Sequence, residues 1–428
     1  MLLRLSSIGF LLGLLITPWA VLAQDAPTDI QTKIDARSAD IKALEKEIAG
    51  YESQIAELGT KASSLSETLR SLDLTQKKLQ ADIALTEDKI GSKNLEIRQL
   101  DTKIGGTLDD ISDDKRYVTE SFKLMNETGD IPFIKLIIGG ISISSIWDHV
   151  NGLATLQDDL QGRIRDLAKT KNKLETSKRS TLQAKAELVR LQEQLSDQRK
   201  VVLATRDEQN KLLRDTKSSE ASYQRLVKDK LALKDAFESE LLQFESDLKL
   251  AVDISKLPKT GTGVLSWPVD KVFITQYFGN TPFATANAQL YSGAGHNGID
   301  FRASIGTPIK AALAGNVAGM GNTDIIPGCY SLGKWVLIKH SNGLSTLYAH
   351  LSLQTAAVGS TVSAGDVIGY SGNTGYTTGP HLHFGVYATS GIEIRQFTNS
   401  LHCKNAVLPI ATLKAYLNPL SYLPASPN

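Results

Sequence analysis

Gly379-Pro380-His381-Leu382-His383-Phe384 decides how the C-terminal part of this chain is read. Alternate residues of a β-strand point to the same face. His-Leu-His on a strand therefore aims two imidazoles at one point, with Leu382 and Phe384 turned the other way into a core. Working outward, Gly295-His296-Asn297-Gly298-Ile299-Asp300-Phe301 carries His296 and Asp300 four positions apart, and Leu347-Tyr348-Ala349-His350-Leu351 adds another imidazole. The chain has 7 histidines, and most of them fall in these three places. Imidazole and carboxylate ligands suit Zn²⁺, and a catalytic zinc site takes three protein ligands and leaves a fourth position to water. Two histidines and one carboxylate fill that count, and further histidines remain for proton transfer. A lone histidine is usually structural, but this set together with Asp300 is not.

Around these residues lie Trp267-Pro268, Tyr277-Phe278-Gly279, Gly306-Thr307-Pro308-Ile309, Val336-Leu337-Ile338-Lys339-His340, the run from Val358 to Gly372, Thr374-Gly375 and Thr378-Gly379-Pro380. With them the chain resembles the lysostaphin/LytM-type zinc metallopeptidases, which cut peptide bonds in bacterial peptidoglycan. The resemblance covers roughly residues 263 to 390. It implies that His296, Asp300 and His383 are the metal ligands, holding one Zn²⁺ per catalytic domain, and that His350 and His381 are catalytic histidines outside the ligand set. All five positions match the family pattern.

Proton transfer would fall to His350 and His381 together, with the division of labour between base and oxyanion donor left open. Tyr348 and Tyr376 offer a further hydrogen bond, although strand packing is the commoner role of such tyrosines. Asn297 and Gly298 read as the turn between the first two ligands. His340, before the Asn342-Gly343 turn, reads as structural, and His149 and His402 as solvated.

Short strand signals separated by glycine turns fill the region after residue 263, so it reads as an all-β module. Lys334 to Lys339 and Leu344 to His350 flank Ser341-Asn342-Gly343 as a hairpin. The first 250 or so residues differ, being rich in Lys, Glu, Asp, Gln and Leu. From Ile41 apolar residues recur in steps of three and four through Leu44, Ile48, Tyr51, Ile55, Leu58, Ala62, Leu65, Leu69 and Leu72, then resume at Leu79, Ile83, Ile90, Ile97, Leu100 and Ile104. That is the seam of a coiled coil. Thr128-Gly129-Asp130-Ile131-Pro132 breaks it, and heptads resume from Leu153 through Leu195, then less regularly to Leu248.

Two helical arms flanking a break predict a long antiparallel α-helical coiled-coil hairpin over residues 24–252, with an apolar tip near 130–150. A linker over 253–263 follows, then the LytM-type β domain with its C-terminal extension over 264–428. At the tip, Phe133, Ile134, Leu136, Ile137, Ile138 and Trp147 either cap the hairpin or offer a docking surface. The layout of coiled coil and β domain resembles the EnvC-like division proteins, which implies a membrane division complex as a partner of the coil.

The 428 residues carry a formal net charge of +1, so bulk charge points to no nucleic acid. Arg4, the apolar run Ile8 to Ala20 and Val21-Leu22-Ala23 read as an export signal over residues 1–23. With no nearby cysteine a lipoprotein anchor is excluded, and an uncleaved membrane anchor is the alternative. Either way the remainder sits outside the cytoplasm, in the periplasm or cell envelope or beyond it. Cys329 and Cys403 are the 2 cysteines, and in an exported protein a bridge between them is favoured over two free thiols. The function these readings imply is a zinc-dependent endopeptidase acting on peptide stems or cross-links of peptidoglycan. The alternative is a non-catalytic LytM-type regulator that binds and activates a cell-wall amidase.

Overall fold

The computed structural model describes residues 27–59, 64–129, 143–248, 250–252, 257–261, 263–281, 285 and 295–425. The export signal expected over residues 1–23 and the tip residues Phe133, Ile134, Leu136, Ile137 and Ile138 lie outside them. Trp147 is within them and is 66% exposed. No helix among the described residues is long and apolar enough to cross a membrane.

The helical region comprises α1 (Pro27–Gly59), α2 (Leu65–Gly129), α3 (Ile143–Thr216) and α4 (Glu220–Asp247). The chain divides into two compact units, Met1–Ala36 with Leu95–Thr181 and Arg37–Asn94 with Leu182–Asn428. In the first, the end of α2 meets the start of α3 antiparallel. Tyr117 donates to Asp159 at 2.6 Å, and Arg163 pairs with Asp114 at 3.3 Å.

In the second unit α1, α2 and α3 pack as an antiparallel set. Arg37 pairs with Asp88 at 2.6 Å, Arg199 with Glu87 at 2.9 Å, and Gln76 donates to Gln209 at 2.5 Å. The heptad residues Ile48, Ile55, Leu65, Leu72 and Leu79 are buried along the seam. The seam is not carried by one continuous first arm, because α1 ends at Gly59 and α2 starts at Leu65. Ser64 caps α2. Its hydroxyl accepts from the Glu67 backbone N–H at 3.2 Å, and the Glu67 carboxylate accepts from the Ser64 N–H at 3.1 Å. This reciprocal pair is a capping box, which satisfies helix-end donors that would otherwise be orphaned.

Among the described residues twelve strands follow: β1 (Ile274–Gln276), β2 (Ile299–Arg302), β3 (Pro308–Lys310), β4 (Gly315–Asn322), β5 (Lys334–Lys339), β6 (Leu344–Gln354), β7 (Thr361–Val362), β8 (Val367–Ser371), β9 (His381–Ala388), β10 (Ile392–Gln396), β11 (Val407–Ala411) and β12 (Tyr416–Leu417). The main sheet is antiparallel in the order β1-β2-β9-β6-β5-β4-β7, with β12 also on β9, and with β8 joining β3 to β6. The expected hairpin is β5–β6, and Gly343 takes φ +83° in its turn, a conformation glycine adopts without penalty.

One face of the sheet buries Ile299, Phe301, Tyr348, Leu382 and Phe384. The same core holds a polar chain. His340 Nδ1 lies 3.0 Å from the Ala314 carbonyl and Nε2 2.8 Å from Thr346 Oγ1. Thr346 Oγ1 also lies 2.9 Å from the Tyr348 hydroxyl oxygen, which accepts the Ala312 N–H at 2.8 Å. His340 is therefore a satisfied core histidine, and Tyr348 is packing rather than a site residue.

The C-terminal extension builds a second layer. β10 and β11 form a separate antiparallel pair, and Cys403 beside it is bridged to Cys329. Helix α4 docks here rather than extending the coil. Between α3 and α4, Lys217 and Ser218 have φ +49° and +57°, and Ser219 caps α4. On α4, Phe237 and Phe244 meet Phe397 edge-on at 5.8 and 5.2 Å, and Glu240 accepts from Ser400 and from the Leu401 N–H, both at 2.9 Å.

Candidate metal centre and active-site groove

Strands β2 and β9 bring the first three site residues together. Their register sets Asp300 opposite His383 and Arg302 opposite His381. The alternation that buries Leu382 and Phe384 turns His381 and His383 to the other face, as the His-Leu-His spacing predicts. His296 stands just before β2 in a bridge to Gly279. His383 Nδ1 lies 2.9 Å from Asp300 Oδ1 and 3.1 Å from His296 Nε2, and His296 Nε2 lies 3.2 Å from Asp300 Oδ1.

This triangle fits a zinc ion. Tetrahedral geometry with metal–ligand bonds of about 2.0–2.1 Å separates neighbouring ligand atoms by about 3.3 Å. The donor set is also right, since the three residues could hold a metal ion as a group and all are largely buried. His296 Nδ1 donates to the Tyr277 carbonyl at 3.1 Å, which fixes the ring and leaves Nε2 for a ligand. Burial alone would push the Asp300 carboxyl up. The charge of His381 and the hydrogen bonds of His296 and His383 outweigh it and hold it well below the usual carboxylate range. Burial pushes the His383 imidazole down, towards the neutral form that a metal requires.

Gly298 is part of this construction. A Cβ there would lie 2.6 Å from His383 Cε1 and 2.7 Å from the Phe384 carbonyl oxygen. The glycine expected to shape a turn is thus also the floor on which the His383 ring rests.

His350 and His381 stand beside the triangle, their rings 4.7 Å apart. His381 Nδ1 donates to the Gly379 carbonyl at 2.8 Å, and its Nε2 lies 3.8 Å from Asp300 Oδ2. His350 reaches the site through a bulge. β5 and β6 shift register between Lys334 and Val336, so Ala349 and His350 together face Trp335. His350 takes φ +62° there. Such a bulge re-aims a side chain. Its Nδ1 donates to the Thr374 carbonyl at 2.9 Å. Burial, reinforced by His381 and His383, holds its pKa well below the ordinary histidine value.

The five residues line a cavity of about 1350 Å³. Sequence reasoning missed its other walls. Lys234, Glu238, Leu241 and Glu245 of α4 form one, and Thr86, Gln194 and Gln198 of α2 and α3 form another. Burial pushes Glu238 and Glu245 up to about 7 each. Tyr376 lines the cavity and carries Lys234 Nζ 5.5 Å from its ring centroid. His402 is half-buried and away from these walls. The acidic residues of α4 carry no motif in the sequence, because they resemble any other solvated helix face.

Residues 294–395 match Peptidase family M23. The chain is 47% identical over 89 residues to the DD-carboxypeptidase/endopeptidase Mpg of Neisseria meningitidis serogroup B, covering 21% of this chain and 19% of that protein. It is 35% identical over 125 residues to the glycyl-glycine endopeptidase ALE-1 of Staphylococcus capitis, covering 29% of this chain and 30% of that one. Among solved structures it is similar to the catalytic domain of lysostaphin from Staphylococcus simulans, with 34% identity and TM-score 0.24, covering 28% of this chain and 82% of that one. The chain thus spans less than a third of the length of these curated relatives.

Proposed function

From the premise that the C-terminal part of the chain is an M23 peptidase domain of the LytM/lysostaphin type, we propose that the protein is a zinc-dependent endopeptidase acting on the peptide part of bacterial peptidoglycan. The observation that carries this reading is the convergence of His296 Nε2, Asp300 Oδ1 and His383 Nδ1 to within 2.9–3.2 Å of one another, beside two histidines that are not ligands. Zinc held by these three would supply a Lewis acid and a water of lowered pKa.

The chain's own groups supply the proton handling. His350 and His381 each tie Nδ1–H to a backbone carbonyl, so each turns Nε2 to the groove. His350, held neutral, is suited to accept a proton there. His381, next to Asp300, is placed to hold or pass one. The complete ligand set weighs against a non-catalytic amidase regulator. The bridge between Cys329 and Cys403 and the export signal read at residues 1–23 support a place outside the cytoplasm. The long helices fit a positioning role at a membrane division complex.

Digestion of purified peptidoglycan followed by mass spectrometry tests the reading. The zinc-loaded chain should cut peptide bonds and leave glycan strands intact. His381→Ala should lose cleavage and keep the metal, while His383→Ala should lose both. Release of whole stem peptides from the glycan would instead mark an amidase activity and overturn the reading.

A further inference from the structure

One cation in the metal-centre cavity has no task in the scheme above. Arg302 ends β2 two residues past Asp300, so both side chains leave the strand on one face. Asp300 faces His383 across the strands, and Arg302 faces His381. Arg302 is thus the next step along the same ladder, about 7 Å from the ligand pair. Its side chain is exposed and lines the cavity.

Phe273 holds it there. The guanidinium carbon sits 3.9 Å from the Phe273 ring centroid, and the backbone N–H of Arg302 donates to the Phe273 carbonyl at 2.9 Å. Stacking uses the face of a guanidinium, whereas its donors point outward from the edge. The neighbouring charges are already matched: Lys310 with Asp270 at 2.6 Å, Lys271 with Glu52 at 2.9 Å, and Lys234 with Glu238 at 2.6 Å. Among the described residues no carboxylate pairs with Arg302.

We propose that Arg302 determines specificity by receiving a carboxylate of the peptide substrate, edge-on and bidentate, one to two residues from the scissile bond. The inference rests on the peptidase reading above. The substrate class it selects is a peptide with a free carboxylate near the cut, in preference to its amidated counterpart. That carboxylate is either a terminal α-carboxylate or a side-chain acid. Bidentate guanidinium–carboxylate pairing is geometrically selective and stronger than a neutral hydrogen bond. Two residues along β2 separate Arg302 from Asp300, a backbone step of about 7 Å, which keeps the received carboxylate near the cut.

The test uses the zinc-loaded full chain, Arg302→Met and Arg302→Lys, with three forms of one peptidoglycan stem peptide. One form has free carboxylates, one is amidated at its C terminus, and one is amidated on its side-chain acid. In the parent chain one amidation should lower kcat/KM by about ten- to a hundredfold, mainly through KM. Which amidation does so identifies the carboxylate. In Arg302→Met the ratio between free and amidated peptide should collapse to about one, and Arg302→Lys should restore part of it. A ratio that survives in Arg302→Met, or that is about one in the parent chain, overturns the proposal. Should the parent chain cut none of the three, the peptidase reading itself fails. The same ratio is then read as Kd on the uncut peptides, where its loss in Arg302→Met upholds the role of Arg302 and its absence in the parent chain overturns it.

Discussion

His350 works from a backbone that side chains usually avoid. At φ +62° a residue with a Cβ is strained, and such strain tends to sit where function needs it. Glycine at this position should relieve the strain and alanine should not. We therefore expect His350→Ala and His350→Gly both to lose about 10²–10⁴-fold in activity. The glycine variant should be the more stable in denaturant by about 1 kcal/mol. Equal stability would mean that the bulge is not strained.

Gly298 makes a second prediction at this scale. Ala in its place pushes the His383 ring away, and zinc affinity measured against a competing chelator should fall at least 10–100-fold, the range for outer-shell changes. An unchanged affinity would show that the ring has room. The buried imidazoles predict a pH effect in the metal-free chain. His350 and His383 are held below the ordinary histidine value, so their contribution to stability is complete above about pH 6.5 and is lost as pH falls below it. Asp300, held below its ordinary value, adds a further loss on the way down from about pH 4. Thermal melts should therefore show a falling Tm between about pH 7 and 5, and a flat Tm would contradict this.

The pair His381 and His383 was legible because strand alternation needs only one residue, Leu382, between them. The same alternation puts His350 on the core face with Tyr348. The bulge that rescues it depends on Trp335 of another strand, which no local pattern records.

At the scale of elements, heptad spacing found the helices and their seam but not their ends. The break between α1 and α2 was written as Ser64-Leu65-Ser66-Glu67, a capping signature hidden under an unbroken apolar repeat. Residues 220–247 read as a weak continuation of the coil because Leu226 and Phe237 keep a helical spacing. The partners of Phe237 are Phe397 and the β10–β11 layer, far along the chain. Phe237 is fully buried, so Phe237→Ala should cost about 3–5 kcal/mol locally. Because the loss falls on the docking of α4, hydrogen exchange should rise in α4 and in β10–β11, with the β5–β6–β9 core left protected. Uniform loss of protection through the sheet would place Phe237 in the main core instead.

At the scale of the molecule, the larger unit closes its groove with helices as well as strands. Leu79 of the heptad seam and Val201 of α3 pack together on Ile305 and Tyr370 of the β domain. Composition showed two architectures in this chain, and that division was legible from the change in residue types near 250. That they share a core was not legible, because Leu79 looks the same whether its knob enters a helix or a sheet. The claim on which the rest depends is that one metal ion, held by three residues from separate parts of the chain, makes this groove a peptidase. Stripping the protein with a chelator and returning zinc stepwise tests it directly, with peptide-bond cleavage of peptidoglycan fragments as the readout. Activity should rise to a plateau at one zinc per chain, and His383→Ala should stay flat throughout. Cleavage that persists in the stripped protein, or that never appears at one bound zinc per chain, would contradict the account.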